Sequence, residues 1–265
     1  MDNYTHGHHE SVLRVHQWRT VANSAAFLLP YLTTSSQLLD VGCGPGTISA
    51  ELSLLTPQGG VTAIDLSDEV IEIARRSHPL EDYPNLNFDS GDVYRMKYPD
   101  NTFDIVYAHQ VLQHLANPVE ALVEMRRVLK PNGILAVRDA DYGAFTWAPP
   151  AAEFDLWMKI YQEVTRQNGA TANGGRYLKG WVSEAGFSSL VVSSSVWTFS
   201  TVEDRQWWGG SWAERVVESS FAVQALSYGI ADLAQLESIS QTFKRWAKDE
   251  SAIFFIPHVE VIARK

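Results

Sequence analysis

The chain has almost no cysteine: Cys43 is the only one among 265 residues. One thiol cannot form an internal disulfide, so we expect a fold held by its hydrophobic core in a reducing, cytoplasmic setting. The N-terminus is polar and carries histidines where a signal peptide has an apolar stretch, which predicts no signal peptide. No apolar run approaches the roughly 18 to 20 residues of a membrane span, so we expect no membrane partner.

Basic residues are scarce as well. The chain has 21 Lys and Arg against 31 Asp and Glu, a formal net charge of −10. A nucleic-acid substrate requires a basic face that neutralises phosphates, so this charge argues against nucleic acid as a partner. With 45% hydrophobic residues, the chain can bury a full core, and we expect one domain over residues 1–265, as a monomer or homodimer.

The first half of the chain alternates short apolar runs with helical patterns. This alternation predicts right-handed crossovers and a mostly parallel sheet covered on both faces. The predicted class is α/β: a doubly wound, seven-stranded, Rossmann-like sheet with helical insertions after strands 5 and 6. We predict strands at 37–41, 60–66, 85–89, 102–108, 134–138, 190–200 and 251–264, and helices at 47–56, 68–77, 118–129, 213–227 and 231–248.

The most informative segment is Leu-Leu-Asp-Val-Gly-Cys-Gly-Pro-Gly at residues 38–46. Apolar residues and Asp40 finish a strand, and Gly42, Gly44 and Gly46 then allow a tight turn into a helix. This arrangement is typical of a site for a nucleotide-like cofactor, because side chains at the glycines would fill the ligand's space. The spacing differs from the Gly-x-Gly-x-x-Gly of dinucleotide sites. The alternative is an ordinary strand-to-helix turn.

Two acids follow later strands. Asp65 ends the second strand, where a carboxylate can accept hydrogen bonds from two vicinal ribose hydroxyls. It could instead cap the helix that starts near Ser67. Asp92 follows the third strand in Asp-Ser-Gly-Asp-Val, and Asp89 is the competing acid in that segment.

Together these segments resemble the class I S-adenosylmethionine-dependent methyltransferases, and among them the ubiquinone/menaquinone-biosynthesis type of the small-molecule branch. The resemblance covers residues 36 to about 141. It rests on motifs in family order: residues 38–46, Asp65, Gly91-Asp92, 99–104, 109–115 and Leu129-Lys130-Pro131-Asn132-Gly133. The Asn/Asp-Pro-Pro-Tyr/Phe motif of methyltransferases acting on nucleic-acid amino groups is missing, which agrees with the acidic charge.

The resemblance implies a Rossmann-like methyltransferase fold with S-adenosyl-L-methionine as cofactor. It divides the single domain into an N-terminal helical lid at 1–35, a cofactor-binding core at 36–141, and substrate-pocket insertions with the last two strands at 142–265. The histidines at positions 6, 8 and 9 have no accompanying Cys or carboxylate pattern beyond Glu10, and we expect no metal site.

The resemblance also assigns roles to residues. Asp92 is expected to meet the exocyclic amine of adenine, while the backbone amide of Val93 meets a ring nitrogen. Tyr4 and Arg19 are expected to close over the methionine end, with Arg19 pairing with its carboxylate; Arg19 could equally be a solvated helix residue. The expected cofactor-binding residues are Tyr4, Arg19, Asp40, Gly42, Cys43, Gly44, Gly46, Asp65, Leu66, Asp92, Val93, His109 and Gln110.

His109 lies just past the fourth strand, where the transferred methyl group usually points in this family. It is the candidate catalytic residue, as a general base or as a substrate-orienting group, because an imidazole titrates near neutral pH. His114 lies at helical spacing from Gln110 and is expected to pack or to bond the backbone. Asp139 and Asp141 flank the expected substrate mouth, although each could be a satisfied loop residue.

Aromatic residues are concentrated in the second half, where eight of the nine Trp follow residue 146. This skew predicts insertions that wall an apolar pocket. The alternative is that the rings only pack the insertions onto the sheet. The candidate substrate-contacting residues are Tyr142, Trp147, Trp208 and Trp212.

These expectations combine into methyl transfer to a small, largely apolar molecule. Oxygen is the expected acceptor atom, with nitrogen, sulfur and carbon open. The methyl donor is already activated, so the protein mainly aligns two reactants and excludes water. One alternative is an NAD-dependent oxidoreductase, disfavoured by the glycine spacing. The other is a non-catalytic methyltransferase-like binding protein, disfavoured by the intact turn and both acids.

Overall fold

The structure, a computed structural model, describes Thr5 and residues 18–265. Its sheet runs in the order β3-β2-β1-β4-β5-β8, and β8 also pairs with β6 and β7. The strands are β1 (Gln37–Val41), β2 (Gly60–Asp65), β3 (Leu86–Ser90), β4 (Phe103–His109), β5 (Leu129–Ala140), β6 (Thr146–Ala148), β7 (Ser188–Phe199) and β8 (Ile253–Arg264).

Helices cover the sheet and form the insertions. In the described part of the chain they are α1 (Thr47–Leu55), α2 (Asp68–Ser77), α3 (Pro118–Val128), α4 (Ala152–Gln167), α5 (Gly174–Glu184), α6 (Val202–Glu218), α7 (Ser220–Ser227) and α8 (Leu233–Trp246). Before β1, Val21–Ala25 forms a π-helical turn and Ala26–Tyr31 a 3-10 helix. None of these helices has both the length and the apolar composition that a membrane crossing needs.

The predicted doubly wound α/β sheet is confirmed. Strands β1 to β5 pair in parallel, and β8 is antiparallel to β5. The carboxyl ends of β1, β2, β3 and β4 therefore meet at one edge of the sheet, where ligands of such folds bind. Helices follow β5 and β7, the fifth and sixth long strands, as expected.

The second half holds more secondary structure than its sequence pattern indicated. Helices α4 and α5 and the short strand β6 were not predicted, and α6 begins at Val202 instead of residue 213. A capping box between Thr201 and Asp204 starts α6. The pair Gly209-Gly210 obscures this helix in the sequence, since glycine weakens helix propensity. A Cβ at Gly209 would approach the Cβ of Ala247 to 2.8 Å, so close packing against the end of α8 requires glycine there.

The buried side chains form three clusters. Leu38 and Leu39 on β1 face opposite sides of the sheet and belong to two of them, as the alternation of a strand requires. The third cluster lies within the insertions and is rich in aromatic rings, among them Trp157, Trp212 and Phe243, all fully buried. The sheet therefore has one hydrophobic core on each face, and the insertions have a third core of their own.

Candidate active site

The glycine turn after β1 is fixed to the neighbouring strand. The backbone amides of Gly42 and Cys43 donate to the carbonyl of Ile64 at 2.8 and 2.9 Å. Gly42 has φ of +70°, and a Cβ there would approach Cγ2 of Val111 to 2.5 Å. Because Val111 lines the cavity beside the turn, a side chain at Gly42 would displace a wall of the site.

Gly46 has a different reason to be glycine. Its φ is +83°, and an added Cβ would approach Cζ of Phe88 to 2.5 Å, on the β3 side of the turn. Gly46 does not line the cavity, whereas Gly42, Cys43 and Gly44 do. The structure therefore places Gly46 at the start of α1, where it permits packing, and not at the ligand surface where the sequence interpretation put it.

Asp65 ties the turn to the end of β2. Its Oδ2 accepts from the amide of Gly44 at 3.1 Å and its Oδ1 from the amide of Ser67 at 3.1 Å. The cap of α2 is Ser67, whose Oγ accepts from the amide of Val70. The alternative role of Asp65 as the helix cap is therefore not the one observed. Two amide donors leave carboxylate lone pairs available to a ligand.

Asp89, near the end of β3, and Asp92, just past it, occupy different environments. Asp92 is exposed and lines the cavity together with Val93. Asp89 forms an ion pair with Lys97 and accepts from the hydroxyl of Tyr98, and it is not among the lining residues. The geometry thus brings to the cavity the acid that the resemblance favoured.

Asp40 lies beneath the turn. Asp40 is 3% exposed, and its Oδ2 accepts from Oγ of Ser49 at 2.6 Å. Burial raises the pKa of Asp40 to about 7, opposed by the Ser49 hydrogen bond and assisted by the charge of Asp65. A carboxyl with this pKa holds its proton more readily than an exposed acid, and an approaching cation would favour its ionised form.

A hydrogen-bond chain orients Arg19, which also lines the cavity. Its Nη2 donates to Oε1 of Gln110 at 2.6 Å, and Nε2 of Gln110 lies 2.7 Å from Nε2 of His258. Nδ1 of His258 lies 3.0 Å from the carbonyl of Ile256, so that nitrogen carries the proton and Nε2 accepts. Gln110 has φ of +54°, a conformation costing about 1–3 kcal/mol outside glycine.

His109 is buried, 4% exposed, at the end of β4. Nη1 of Arg138 lies 3.4 Å from its Nδ1, and its Nε2 has no hydrogen-bond partner among the described residues. Burial lowers the pKa of His109 well below its usual value, and the charges of Arg138, Arg19 and His258 lower it further. His109 is therefore a neutral imidazole at physiological pH.

The polar groups behind His109 form a buried network that sequence reasoning missed. Nε of Arg138 donates to Oε1 of Glu260 at 3.3 Å, and Ser195 donates to the same oxygen at 2.5 Å. The ring of Trp197 lies 4.9 Å from the guanidinium carbon of Arg138 and 5.6 Å from the ring of His109. An Arg inside the otherwise apolar run of β5 was the one signal for this network.

These residues surround a cavity of about 600 Å³ at the carboxyl edge of the sheet. Its volume falls within the range of small-molecule and cofactor sites. Of the predicted cofactor-binding residues, Tyr4 lies outside the described residues and Gly46 lies behind the turn. The lining residues include Arg19, Asp40, Gly42, Cys43, Gly44, Asp65, Leu66, Asp92, Val93, Tyr107, His109, Gln110, Val111, His114 and Leu115.

The predicted substrate residues are not at this cavity. Tyr142, Trp208 and Trp212 are buried in the aromatic cluster of the insertions, Trp147 packs against that cluster, and none of the four lines the cavity. The rings pack the insertions, as the alternative interpretation of the skewed aromatic content held. Asp141 forms an ion pair with Arg176.

Two further predictions concern His114 and metal binding. His114 lines the cavity, and burial together with the charge of Arg19 lowers its pKa to about 3. Within Thr5 and residues 18–265, no group of three or more His, Cys, Asp and Glu could hold a metal ion. The histidines at positions 6, 8 and 9 lie outside the described residues.

Comparison with known proteins identifies the family. Residues 32–186 match the family described as the methyltransferase domain. The chain belongs to the methyltransferases. An uncharacterized methyltransferase of Schizosaccharomyces pombe is 32% identical over 99% of this chain and 96% of its own length. A probable methyltransferase, ltbC, of Aspergillus luteorubrus is 32% identical over 100% of this chain and 98% of its own length.

Shorter matches and solved structures extend the comparison. A malonyl-[acyl-carrier protein] O-methyltransferase of Halalkalibacterium halodurans is 37% identical over 37% of this chain and 36% of its own. A demethylmenaquinone methyltransferase of Chlamydia muridarum is 29% identical over 58% of this chain and 64% of its own. The fold matches Haemonchus contortus phosphoethanolamine N-methyltransferase 2 with S-adenosylhomocysteine bound, with TM-score 0.57 and 18% identity, covering 91% of this chain and 52% of that one.

The residues present fit the family's cofactor, S-adenosyl-L-methionine. A bare turn at Gly42, where a Cβ would displace Val111, leaves room for a ligand against the main chain. Asp65 and Asp92 supply acceptors for hydroxyl and amine donors, and Leu66 and Val93 add apolar side chains to the lining of the same cavity. This protein is an S-adenosylmethionine-dependent methyltransferase.

Proposed function

We propose that the protein transfers the methyl group of S-adenosylmethionine to an oxygen of a small, largely apolar molecule. The observation that carries the proposal is the arrangement of the cavity. The residues at the ends of β1, β2 and β3 present the glycine turn and acceptor carboxylates, and His109 and Gln110 at the end of β4 line the same cavity with Arg19. Apolar side chains of Val111 and Leu115 also line it and favour an apolar acceptor.

In this proposal each lining residue has a defined task. Asp65 accepts from the ribose hydroxyls, Asp92 from the adenine amine, and Arg19 donates to the methionine carboxylate. The Gln110–His258 chain positions Arg19, because Oε1 of Gln110 accepts from Nη2 of the guanidinium while Nε2 of Gln110 donates to His258. When bound, the cofactor supplies an electrophilic methyl carbon on a sulfonium, so the protein need only align the acceptor and exclude water.

Three observations support the acceptor class. The net charge of −10 disfavours a nucleic-acid substrate. A cavity of about 600 Å³ has room for little beyond a cofactor and a small acceptor. One relative that matches part of the chain is named an O-methyltransferase. Another is named a demethylmenaquinone methyltransferase, which supports a relationship to the ubiquinone/menaquinone type.

Incubation of the purified protein with S-[¹³C-methyl]adenosylmethionine and a panel of small hydroxyl, amine, thiol and activated-carbon acceptors tests the proposal. We expect S-adenosylhomocysteine and a ¹³C-methoxy product from hydroxyl members, and slower formation of both in Gly42→Ala at subsaturating cofactor. Tight cofactor binding without transfer to any acceptor would favour a non-catalytic binding protein. An NADH fluorescence titration that saturates would favour the oxidoreductase.

A further inference from the structure

Strand β7 forms one edge of the sheet. It pairs with β8 along residues 191–199, and β5 pairs with the opposite side of β8. Among the described residues, no strand other than β8 pairs with β7. In an antiparallel pair the backbone groups of alternate residues point toward the partner strand, and those between them point away. Every second residue of β7 therefore turns its amide and carbonyl outward, where they can pair with another extended chain.

This edge lacks the features that commonly keep an exposed strand from pairing with other chains. No charged residue and no proline occurs from residue 185 to residue 202. Irregular pairing with β8 is confined to the start of the strand, between Ser188 and Val191. Monomeric proteins protect such edges with charges, prolines or bulges, because an open edge readily accepts another strand. The edge along residues 191–199 is therefore open to strand pairing.

The two faces of β7 differ in what their side chains contact. Ser193 and Ser195 donate to the two carboxylate oxygens of Glu260 on β8, so these hydroxyls are satisfied within the chain. Val192 and Val196 lie on the other face, and they are 45% and 52% exposed. This second face of the edge strand therefore presents two valines to solvent.

The sequence along the edge is symmetrical in polarity. Residues 191–197 read Val-Val-Ser-Ser-Ser-Val-Trp, with Ser194 at the centre. When two such strands lie antiparallel about a two-fold axis at Ser194, Val192 of each copy faces Val196 of the other. Cross-strand pairs of β-branched side chains stabilise antiparallel strands. An unrelated segment would not require this symmetry, so the pattern indicates a second copy of the same chain.

We propose that the protein forms a homodimer in which β7 pairs with β7 of a second copy, antiparallel and centred on Ser194. The interface is isologous, as two-fold symmetry requires, because the same residues of both copies form it. It joins the two sheets into one continuous sheet and covers the open edge of both. The dimer does not depend on the identity of the methyl acceptor, so activity toward any acceptor neither supports nor opposes it.

Paired charge variants test the register. Val192→Lys together with Val196→Lys places like charges opposite each other across the axis, and it should weaken dimerisation about tenfold or more. Val192→Lys together with Val196→Glu places opposite charges there and should restore most of the affinity. Because both valines are exposed, the variants should fold, and circular dichroism checks that they do. Equal dimerisation of the two double variants would contradict this register.

The control carries the same added charge away from β7. Val223→Lys together with Leu233→Lys changes exposed apolar side chains on α7 and α8. It alters the net charge as the like-charged variant does, and it should leave dimerisation unchanged. A loss of the dimer in this control, equal to that in Val192→Lys with Val196→Lys, would mean that net charge and not strand pairing decides the association.

Sedimentation velocity on the full-length protein measures the association. We expect a dimer at about 100 μM, with dissociation on dilution only if the affinity is micromolar or weaker. A wild-type protein that remains a monomer at this concentration would overturn the proposal. Hydrogen exchange then locates the interface: outward-facing amides within residues 193–195 should exchange about tenfold or more slowly in the wild type than in the like-charged variant. A dimer in which these amides stay equally exposed would place the interface elsewhere and reject the pairing of β7.

Discussion

The two halves of this molecule use their distinctive residues in opposite ways. In residues 37–140, Gly42, Gly44, Asp65 and Asp92 lie at or just past strand ends and line an open cavity. In residues 142–265 all the tryptophans except Trp181 belong to, or pack against, the aromatic core of the insertions. The distinctive residues of the first half therefore line a cavity, whereas those of the second half form a hydrophobic core. Local motifs reveal where a chain leaves room for a ligand, whereas aromatic content alone does not distinguish a pocket wall from a core.

The prediction with the largest expected effect tests whether the aromatic cluster of the insertions stabilises the fold without contacting the substrate. Trp212 is fully buried, with its ring 4.5 Å from that of Trp157. Trp212→Ala should lower the free energy of unfolding by about 3–5 kcal/mol, because it leaves a cavity. Trp212→Phe should lose less. Urea unfolding followed by circular dichroism measures both. A raised KM for the acceptor with unchanged stability would restore Trp212 to the substrate pocket.

The second prediction concerns Gly42 in the glycine turn after β1. Gly42→Ala should destabilise the protein by about 1–2 kcal/mol, since an L-residue is strained at this φ. It should also weaken S-adenosylhomocysteine binding about tenfold or more, because the new Cβ pushes Val111 into the cavity. Calorimetry measures the affinity. Gly180→Ala is the control: a Cβ there meets nothing within 4 Å, and alanine favours a helix.

The third prediction compares two acids at neighbouring strand ends. Asp65→Ala should weaken S-adenosylhomocysteine binding by about 1–3 kcal/mol, since ribose hydroxyls and the Gly44 amide lose their acceptor. Asp89→Ala removes an acid paired with Lys97 and should change affinity by less than about 0.5 kcal/mol. Equal losses in the two variants, measured by calorimetry, would mean that position on the cavity does not decide which acid binds.

The last prediction is a pH dependence of the free energy of unfolding. Burial raises the pKa of Asp40 from 3.8 to about 7, so the folded state keeps a proton that the unfolded chain loses. Stability should therefore fall as the pH rises from about 4 to about 7, by at most about 1.4 kcal/mol per pH unit, and this contribution ends above that range. Asp40→Asn should flatten the slope, and Asp92→Asn, at an exposed acid, should not. Parallel denaturation profiles for all three proteins would contradict the assignment.

Much of the sheet could be predicted from the chain because its local patterns and its tertiary environment agree. The predicted strand 37–41 and helix 68–77 coincide with β1 and α2. A buried parallel strand is a short apolar run, and a surface helix repeats its apolar positions every three to four residues. In the insertions, glycines and tryptophans at the contacts between α6 and α8 interrupt that periodicity, so helix boundaries there depended on packing.

The residues of the site also divide into those that the local sequence could place and those that it could not. Gly42, Asp65 and Asp92 could be placed at the cavity because each lies at the end of a strand or just past it, and parallel strands end together. Arg138, Trp197, His258 and Glu260 could not. They come from three strands that are far apart in sequence, and only antiparallel pairing of β8 with β5 and β7 brings them behind His109.

The sequence by itself determined the doubly wound sheet, the edge at which a ligand binds and the cofactor family, because these depend on local backbone freedom and on residues at strand ends. Tertiary structure decided the remainder. It made Gly46 a packing residue, placed the tryptophans in a core, and set Arg138 against Nδ1 of His109. Burial, neighbouring charge and hydrogen-bond direction are properties of residues assembled in space, and no single stretch of chain contains them.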